Sequence, residues 1–299
     1  AAGRIVAQRD GDLSLRASGR ISSSAGTTAQ GEAGGLIGSN GNAVVQAGAL
    51  LNSGTVTAAA HLDLTVAGAL DNSGGSLNAA TLAAHVASLG NAAGVISAAE
   101  VSLTAPRLDN SGGRISANTL SLAATDLLNE HGTLMQVGPG TTRIDVSGTL
   151  DNANGGLIQA DSTDLSLAPA SLDNDGGTIT HAGAGTLGLD AGGGAGSFSN
   201  LGGSIASNGQ IALAAGRLDN TRGTISAQTG LTAQLAGALD NTQGKLASNL
   251  DLSIVVGAAL NNSGGTWIRP PLALSRVPLT SMRVVPGPTC ISVPGSLRR

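Results

Sequence analysis

The stretch Leu108-Asp109-Asn110-Ser111-Gly112-Gly113 recurs along most of a chain of 299 residues, and this recurrence decides the fold. A second clear copy reads Leu172-Asp173-Asn174-Asp175-Gly176-Gly177. Its asparagine returns at steps of 19 to 26 residues. The positions are Asn52, Asn72, Asn91, Asn110, Asn129, Asn152, Asn174, Asn200, Asn220, Asn241 and Asn262. A repeat of about 20 residues indicates a solenoid in which every repeat forms one coil.

Short segments with alternating apolar and polar residues lie between these turns. One copy reads Arg114-Ile115-Ser116-Ala117 and continues with Leu120-Ser121-Leu122-Ala123-Ala124. An apolar period of two predicts short strands, and the glycine in every repeat argues against helices. Strands this short bury a face only when one coil stacks on the next. We therefore predict an all-β protein that folds as a right-handed parallel β-helix with coils of about 20 residues.

The residues of the turn have separate roles. Asparagine tolerates left-handed backbone and bonds to it locally, while glycine supplies a positive φ without a steric penalty. Because one asparagine occupies the same place in each coil, we expect the amides to stack as a structural ladder. The longest step, from Asn174 to Asn200, contains residues 191–196, where we place the largest loop.

Composition and charge restrict the function. The chain has one Phe, one Trp and no Tyr, so small aliphatic residues must fill the core. Residues 1–266 hold all 19 acidic residues and ten basic ones, and the resulting charge of −9 argues against nucleic-acid binding. The single cysteine, Cys290, excludes an intramolecular disulfide. The first residues show no signal peptide, so we expect a piece of a longer chain.

With these turns the chain resembles the haemagglutinin-repeat region of filamentous haemagglutinin-like adhesins, which are exoproteins of bacterial two-partner secretion. The similarity covers about residues 50–265 and, more weakly, 1–49. It implies a β-helical shaft that an outer-membrane transporter exports and that is secreted or displayed on the cell surface. The family's amino-terminal secretion domain and a carboxy-terminal effector are not recognisable here. Similar shafts occur in toxins of contact-dependent inhibition, so the repeats leave adhesin and toxin carrier open.

We divide the chain into irregular first coils at 1–49, the haemagglutinin-repeat β-helix at 50–266 and a tail at 267–299. The tail holds six of the nine prolines and five arginines but no acidic residue. It is either an end cap or the product of a frameshift from about Trp267. The abrupt change of composition within a repeat favours the frameshift.

The sequence contains no motif that predicts catalysis, a metal or a cofactor. We place His61, His85, His131 and His181 at the surface or in loops, because none has a metal-ligand partner at a useful spacing. One acidic set shares a turn position. This set, named the Asp row, consists of Asp71, Asp109, Asp151, Asp173, Asp219 and Asp240. Aligned carboxylates could recruit a cation, but we expect each to accept hydrogen bonds from its own turn.

These observations favour a structural shaft segment of a surface-displayed adhesin that attaches to host or neighbouring cells and is not an enzyme. Attachment would use a β-face or the loops near 19–41 and 191–197, and its receptor is a glycan or protein that the sequence does not identify. The alternatives are the shaft of a contact-dependent inhibition toxin and a β-helical carbohydrate-active enzyme that uses the Asp row.

Overall fold

The computed structural model describes residues 3–9, 11–27, 33–138 and 140–268, and it divides the chain into two compact units, Ala1–Ser147 and Gly148–Arg299. In the described ranges the regular structure is β-strand, and no helix there is long and apolar enough to cross a membrane. Strands in both units pair in parallel with strands of the neighbouring coil. The predicted all-β parallel solenoid is confirmed.

The strands of the first unit are β1 (Arg4–Ala7), β2 (Leu13–Arg16), β3 (Arg20–Ser23), β4 (Gly26–Thr27), β5 (Ala33–Gly34), β6 (Leu36–Ser39), β7 (Ala43–Ala47), β8 (Ala49–Asn52), β9 (Thr55–Ala58), β10 (His61–Asp71), β11 (Ser76–Gly90), β12 (Val95–Thr104), β13 (Arg107–Asp109), β14 (Arg114–Ala117), β15 (Thr119–Ala124), β16 (Asp126–Leu128), β17 (Thr133–Gln136) and β18 (Thr142–Val146).

The strands of the second unit are β19 (Thr149–Asp151), β20 (Leu157–Ala160), β21 (Leu165–Leu167), β22 (Ser171–Asp173), β23 (Thr178–His181), β24 (Thr186–Asp190), β25 (Ser197–Ser199), β26 (Ser204–Ser207), β27 (Gln210–Ala215), β28 (Arg217–Asp219), β29 (Thr224–Ala227), β30 (Gly230–Leu235), β31 (Leu239–Asp240), β32 (Lys245–Ser248), β33 (Asp251–Val256), β34 (Leu260–Asn261) and β35 (Thr266–Ile268).

Each regular coil contributes three strand segments, which stack in three parallel sheets named faces A, B and C. Face A holds the segments that end just before the ladder asparagine, such as β13 in the first unit and β28 in the second. Face B holds the segments that follow this corner, such as β14 and β29. Face C completes the coil and includes β15 and β30.

Inward side chains stack on equivalent side chains of the next coil. On face B of the second unit Ile179 is aligned with Ile205, which is aligned with Ile225, and all three are fully buried. On face A the single phenylalanine, Phe198, is aligned with Leu172 and is 2% exposed. Each such aliphatic side chain contributes about 1.5–3 kcal/mol by leaving water. Repetition of small aliphatics thus builds a core without large rings.

The opening of the first unit departs from the regular pattern. Strands β1, β2 and β3 pair with β6, β7 and β8, so residues 4–23 form the strands of a coil. After β3 the chain forms the antiparallel pair β4–β5, in which Gly26 pairs with Gly34 and Thr27 with Ala33. Later corners at the same place in the coil, such as 110–113, need four residues.

The described repeat extends to the beginning of the tail. Trp267 lies in β35 and is aligned with Leu246 on face B. The interpretation of the tail as a cap or a frameshift concerns mainly residues 269–299, which lie outside the described residues.

Replacing Leu122 with Asp should disrupt the first unit. Leu122 is 1% exposed and is aligned with Leu103 and Ile144, so the carboxylate would be buried without a partner at a cost of several kcal/mol. Circular dichroism should show loss of the cooperative melt, whereas the matched control Ser121→Asp, on the outer side of β15, should melt as the original chain does. An unaltered melt for Leu122→Asp would show that inward and outward positions are assigned wrongly.

The predicted loop at 191–196 joins β24 to β25 and is the longest connection between described strands of the second unit. Gly192, Gly193 and Gly194 all have left-handed backbone, with φ of 57°, 63° and 80°. Asp190 pairs with Ala214, and Ser197 pairs with Arg217. The six residues 191–196 therefore occupy the place that residues 215–216 fill in the next coil.

Deletion of residues 192–195 should be tolerated, because it joins Ala191 to Gly196 and reproduces the Ala-Gly connection at 215–216. The main loss is the hydrogen bond from the Gly192 amide to Pro169, worth about 0.5–1.5 kcal/mol. We expect thermal unfolding to stay cooperative, with a small decrease in Tm. Deleting four residues from inside β24, at 187–190, is the length-matched control and should abolish folding. Equal damage from both deletions would contradict a side loop.

Candidate functional site

The corner between faces A and B is closed by the repeated turn itself. In one copy the amide of Gly113 donates a hydrogen bond to the carbonyl of Asn110 at 2.9 Å. The amide of Asn110 donates to Leu128 in the next coil at 2.8 Å. The Asn110 side chain points inward and is 0% exposed. A fully buried amide needs partners for all its polar groups, so these contacts determine whether the corner is stable.

The buried asparagine side chains bond to one another from coil to coil. In the first unit each Nδ2 donates to the Oδ1 of the next asparagine at 2.7 Å. This ladder contains Asn52, Asn72, Asn91, Asn110 and Asn129. The second hydrogen on Nδ2 is directed to backbone, as when Asn110 donates to the carbonyls of Gly113 at 3.3 Å and Thr133 at 3.2 Å. Both ends of the amide are thus satisfied.

The second unit has a ladder of the same design. The distances from Nδ2 to the next Oδ1 are 2.7 Å at four steps and 2.6 Å at the last. Its members are Asn152, Asn174, Asn200, Asn220, Asn241 and Asn262. The 26-residue step from Asn174 to Asn200 has the same 2.7 Å contact as shorter steps. Insertions within a coil therefore leave the ladder spacing unchanged.

The glycine that closes the corner is required by close approach. A Cβ added to Gly113 would lie 2.0 Å from the Asn91 carbonyl oxygen and 2.8 Å from Asn110 Oδ1. The preceding position has left-handed backbone, with φ of 61° at Gly112. His131 occupies the equivalent position in the next coil with φ of 53°. The second glycine of the motif is thus fixed sterically, while the first tolerates some side chains at a cost in backbone energy.

The Asp row stabilises its own turns. In each of the six, one carboxylate oxygen accepts a hydrogen bond from the amide two residues later at 2.9–3.0 Å. The alignment expected from the sequence is present, because Asp151 pairs with Asp173 and Asp219 with Asp240. Across the described parts of the chain, no group of three or more His, Cys, Asp or Glu side chains is arranged to hold a metal ion. The contacts of the row are those of turn caps.

The Asp240 carboxylate accepts hydrogen bonds from both the hydroxyl and the amide of Thr242. Burial by itself would raise the pKa of this group, but hydrogen bonds from the Thr242 hydroxyl and amide, the Asn261 amide and the Thr221 hydroxyl outweigh it. The pKa of Asp240 therefore lies below its usual value. Hydrogen bonding to the charged form favours ionisation, so this carboxylate stays an acceptor at neutral pH.

The structure corrects one of the four histidine assignments. His61, His85 and His131 are exposed as predicted, but His181 is fully buried. The alternation of β23 explains the error, because His181 is two residues after the inward Ile179 and so points inward as well. The prediction placed it at the surface or in a loop because it has no metal-ligand partner at a useful spacing.

Two serines satisfy the buried imidazole of His181. Its Nε2 lies 2.9 Å from the carbonyl oxygen of Ser162, and its Nδ1 lies 2.9 Å from the hydroxyl of Ser207. A carbonyl only accepts, so Nε2 carries the hydrogen and Nδ1 accepts from Ser207. This inward position of face B holds alanine in other coils, as at Ala227. A polar residue in an alanine column was the signal that the sequence analysis missed.

Comparison with known proteins identifies the repeat. The model of the haemagglutinin repeat matches residues 1–74, 77–154, 137–186 and 182–266. The chain belongs to the haemagglutinin-repeat family. This confirms the resemblance to filamentous haemagglutinin-like exoproteins of two-partner secretion.

One curated relative of this haemagglutinin-repeat chain is described as "tRNA nuclease CdiA-2" of Burkholderia pseudomallei (strain 1026b). The two are 47% identical over 236 residues. The alignment covers 77% of this chain and 7% of the relative, so the chain spans a small part of that protein's length. No solved structure matches the chain.

The haemagglutinin-repeat ladder of the first unit begins at Asn52. Its Oδ1 is buried, and none of the described residues donates a hydrogen bond to it. Ser23 occupies the preceding rung, aligned with Asn52 and 5% exposed. Its hydroxyl donates to the carbonyl of Gly35 at 2.7 Å, so it cannot serve Asn52 with the same hydrogen. The first asparagine of the ladder in this unit is therefore Asn52, next to a rung that serine occupies.

Replacing Ser23 with Asn should extend the ladder by one rung. The new Nδ2 has two hydrogens, one for the Gly35 carbonyl and one for the unsatisfied Asn52 Oδ1. Because a buried unsatisfied polar group costs about 1–3 kcal/mol, we expect the free energy of unfolding of the first unit to rise by that order. Urea denaturation measures it, with Ser22→Asn on the exposed side of β3 as the control. A Ser23→Asn chain no more stable than this control would contradict the prediction.

Proposed function

We propose that this stretch is a shaft segment of a secreted, surface-displayed bacterial exoprotein. The observation that carries the proposal is the asparagine ladder, which is buried from Asn52 to Asn241 and whose side-chain amides hold each coil to the next. The aspartates beside the corners likewise accept hydrogen bonds from turn amides. The polar groups that vary least between coils therefore serve stacking, which is what a spacer needs.

Family membership supports the route of export that goes with this role. Proteins of two-partner secretion pass through a dedicated outer-membrane transporter, and we propose such a transporter as the partner of the full-length protein. Secretion or display on the bacterial surface follows from that route.

Attachment to host or neighbouring cells is the first function that we propose for the shaft. The supporting observation is the outward surface, which repeats small polar side chains along each unit, as at Ser166 on β21 and Thr232 on β30. A repeated surface can contact a receptor many times, and the resulting avidity exceeds that of a single contact. The receptor would be a glycan or protein of the contacted cell.

Carriage of a toxin is the second candidate, and the 47% identity with the relative described as a tRNA nuclease favours it. That description belongs to the relative, of which the alignment covers 7%. In this reading the stretch holds an effector away from the producing cell. Neither candidate requires catalysis by the repeats, and we propose that the described coils are not an enzyme. A carbohydrate-active site would require free carboxylates, whereas the row members accept turn hydrogen bonds.

Cell binding by the isolated chain separates the two candidates. Fluorescently labelled chain is incubated with epithelial cells and with bacterial cells, and bound fluorescence is measured by flow cytometry against increasing unlabelled chain. Attachment predicts saturable, competed binding that falls to background for Leu122→Asp, since the repeated surface depends on the fold. Signal equal to that of Leu122→Asp on both cell types would contradict attachment through this stretch and favour the carrier role.

A further inference from the structure

The acidic residues of the described chain avoid one face. On face A they follow or precede the inward leucines, as at Asp109 and Asp126, and on face C they occupy outward positions, as at Asp63 and Asp251. The remaining described acids lie at corners. The described segments of face B, from β1 to β35, contain no Asp or Glu in either unit.

Face B instead presents small side chains and a few basic ones. In the second unit its outward residues are Leu157, Gln159, Thr178, Thr180, Ser204, Ala206, Thr224, Ser226, Lys245, Ala247, Thr266 and Ile268. In the first unit face B also carries two arginines, Arg4 on β1 and Arg114, which is aligned with Val95 and Thr133. Short side chains on regularly paired strands leave a surface with few projections.

Face B also carries some of the exposed apolar side chains. The large apolar residues with substantial exposure number nine among the described residues. Three of them, Val6, Val95 and Ile268, occupy outward positions of face B, whereas Ile5 is aligned with the inward Ile37. They add a few apolar contacts to a face whose other outward side chains are mostly small and uncharged.

We propose that face B is a self-association surface through which two copies of this chain pair. The charge distribution selects the second copy as occupant. Residues 1–266 carry 19 acidic and ten basic residues, so two copies repel wherever faces A or C meet. Face B is the side on which two acidic molecules can approach without bringing strand carboxylates together. Pairing of one patch with itself gives a closed, twofold contact that does not continue into fibres.

The available area makes this pairing weak for one unit. A strand of four residues spans about 13 Å, and six strands at coil spacing span about 29 Å. The product is roughly 380 Å² per copy, well below the roughly 800 Å² per partner of a standard stable interface. We therefore expect association at concentrations between about 10 μM and 1 mM.

The direction in which added salt changes the association distinguishes face B pairing from an attractive contact between opposite charges. Pairing through face B is opposed by residual repulsion between the acidic bodies, so screening should strengthen it. A contact between the Asp row of one copy and the basic side chains Arg114 and Lys245 of another would weaken instead.

Sedimentation equilibrium of the chain from about 10 μM to about 1 mM tests the proposal. The weight-average mass should rise from one copy toward two, and more so at high salt. The combined variant Thr57→Asp, Thr180→Asp and Ser226→Asp places carboxylates on face B of both units. Because like charges face each other across the contact, association should weaken at least about tenfold.

The matched control adds the same charge to face C, with Thr65→Asp, Ser121→Asp and Thr232→Asp. It should retain the association of the original chain, and thermal melting verifies that both variants are folded. A mass of one copy at every concentration overturns the proposal. So does equal loss in the face B and face C variants, or association that weakens as salt is raised.

Discussion

A buried asparagine at the regular corners from Asn52 to Asn241 is the constraint on which the rest of the structure depends. An amide side chain out of water is tolerated only when its acceptor and both its hydrogens have partners. Here the acceptor is served by the preceding asparagine, and the two hydrogens go to the next asparagine and to corner backbone. No single coil can provide this set, so a coil is stable at its corner only between two others. The apolar columns need stacking to bury area, and the asparagines fix which residue faces which.

Most of the architecture could be predicted from the sequence because the repeat encodes it twice. The period-two alternation assigns inward residues such as Leu122, and the turn motif locates the corners. The loop at 191–196 was also predictable. Asn174 and Asn200 must be in contact, so the additional residues between them can only form a loop at the side of the coil. The ladder asparagines, whose spacing along the stack is fixed, therefore set the register between neighbouring coils.

Other features depend on contacts that a linear pattern does not reveal. His181 was assigned to the surface or a loop because it has no metal-ligand partner at a useful spacing, yet Ser162 and Ser207 come close to it only after the coils stack. The first coils were recognisable as irregular, but only the structure shows that Ser23 is aligned with Asn52 and takes the place of an asparagine in the ladder. The lack of acidic residues in the described segments of face B could also be read from the sequence. It becomes visible only when residues from many coils are assigned to one side.

The hydrogen bonds of the ladder all run in one direction. Each asparagine gives its Nδ2 hydrogen to the residue that follows it in sequence and receives one from the residue that precedes it. A coil that has folded therefore presents a positioned donor to the segment that comes next. For a chain that emerges with its amino terminus first, every finished coil is a template for its successor, so assembly is vectorial. If the coils stacked from the carboxy-terminal end instead, each folded coil would present the Oδ1 acceptor of its asparagine in place of the Nδ2 donor. The molecule thus has a chemical polarity along its repeats.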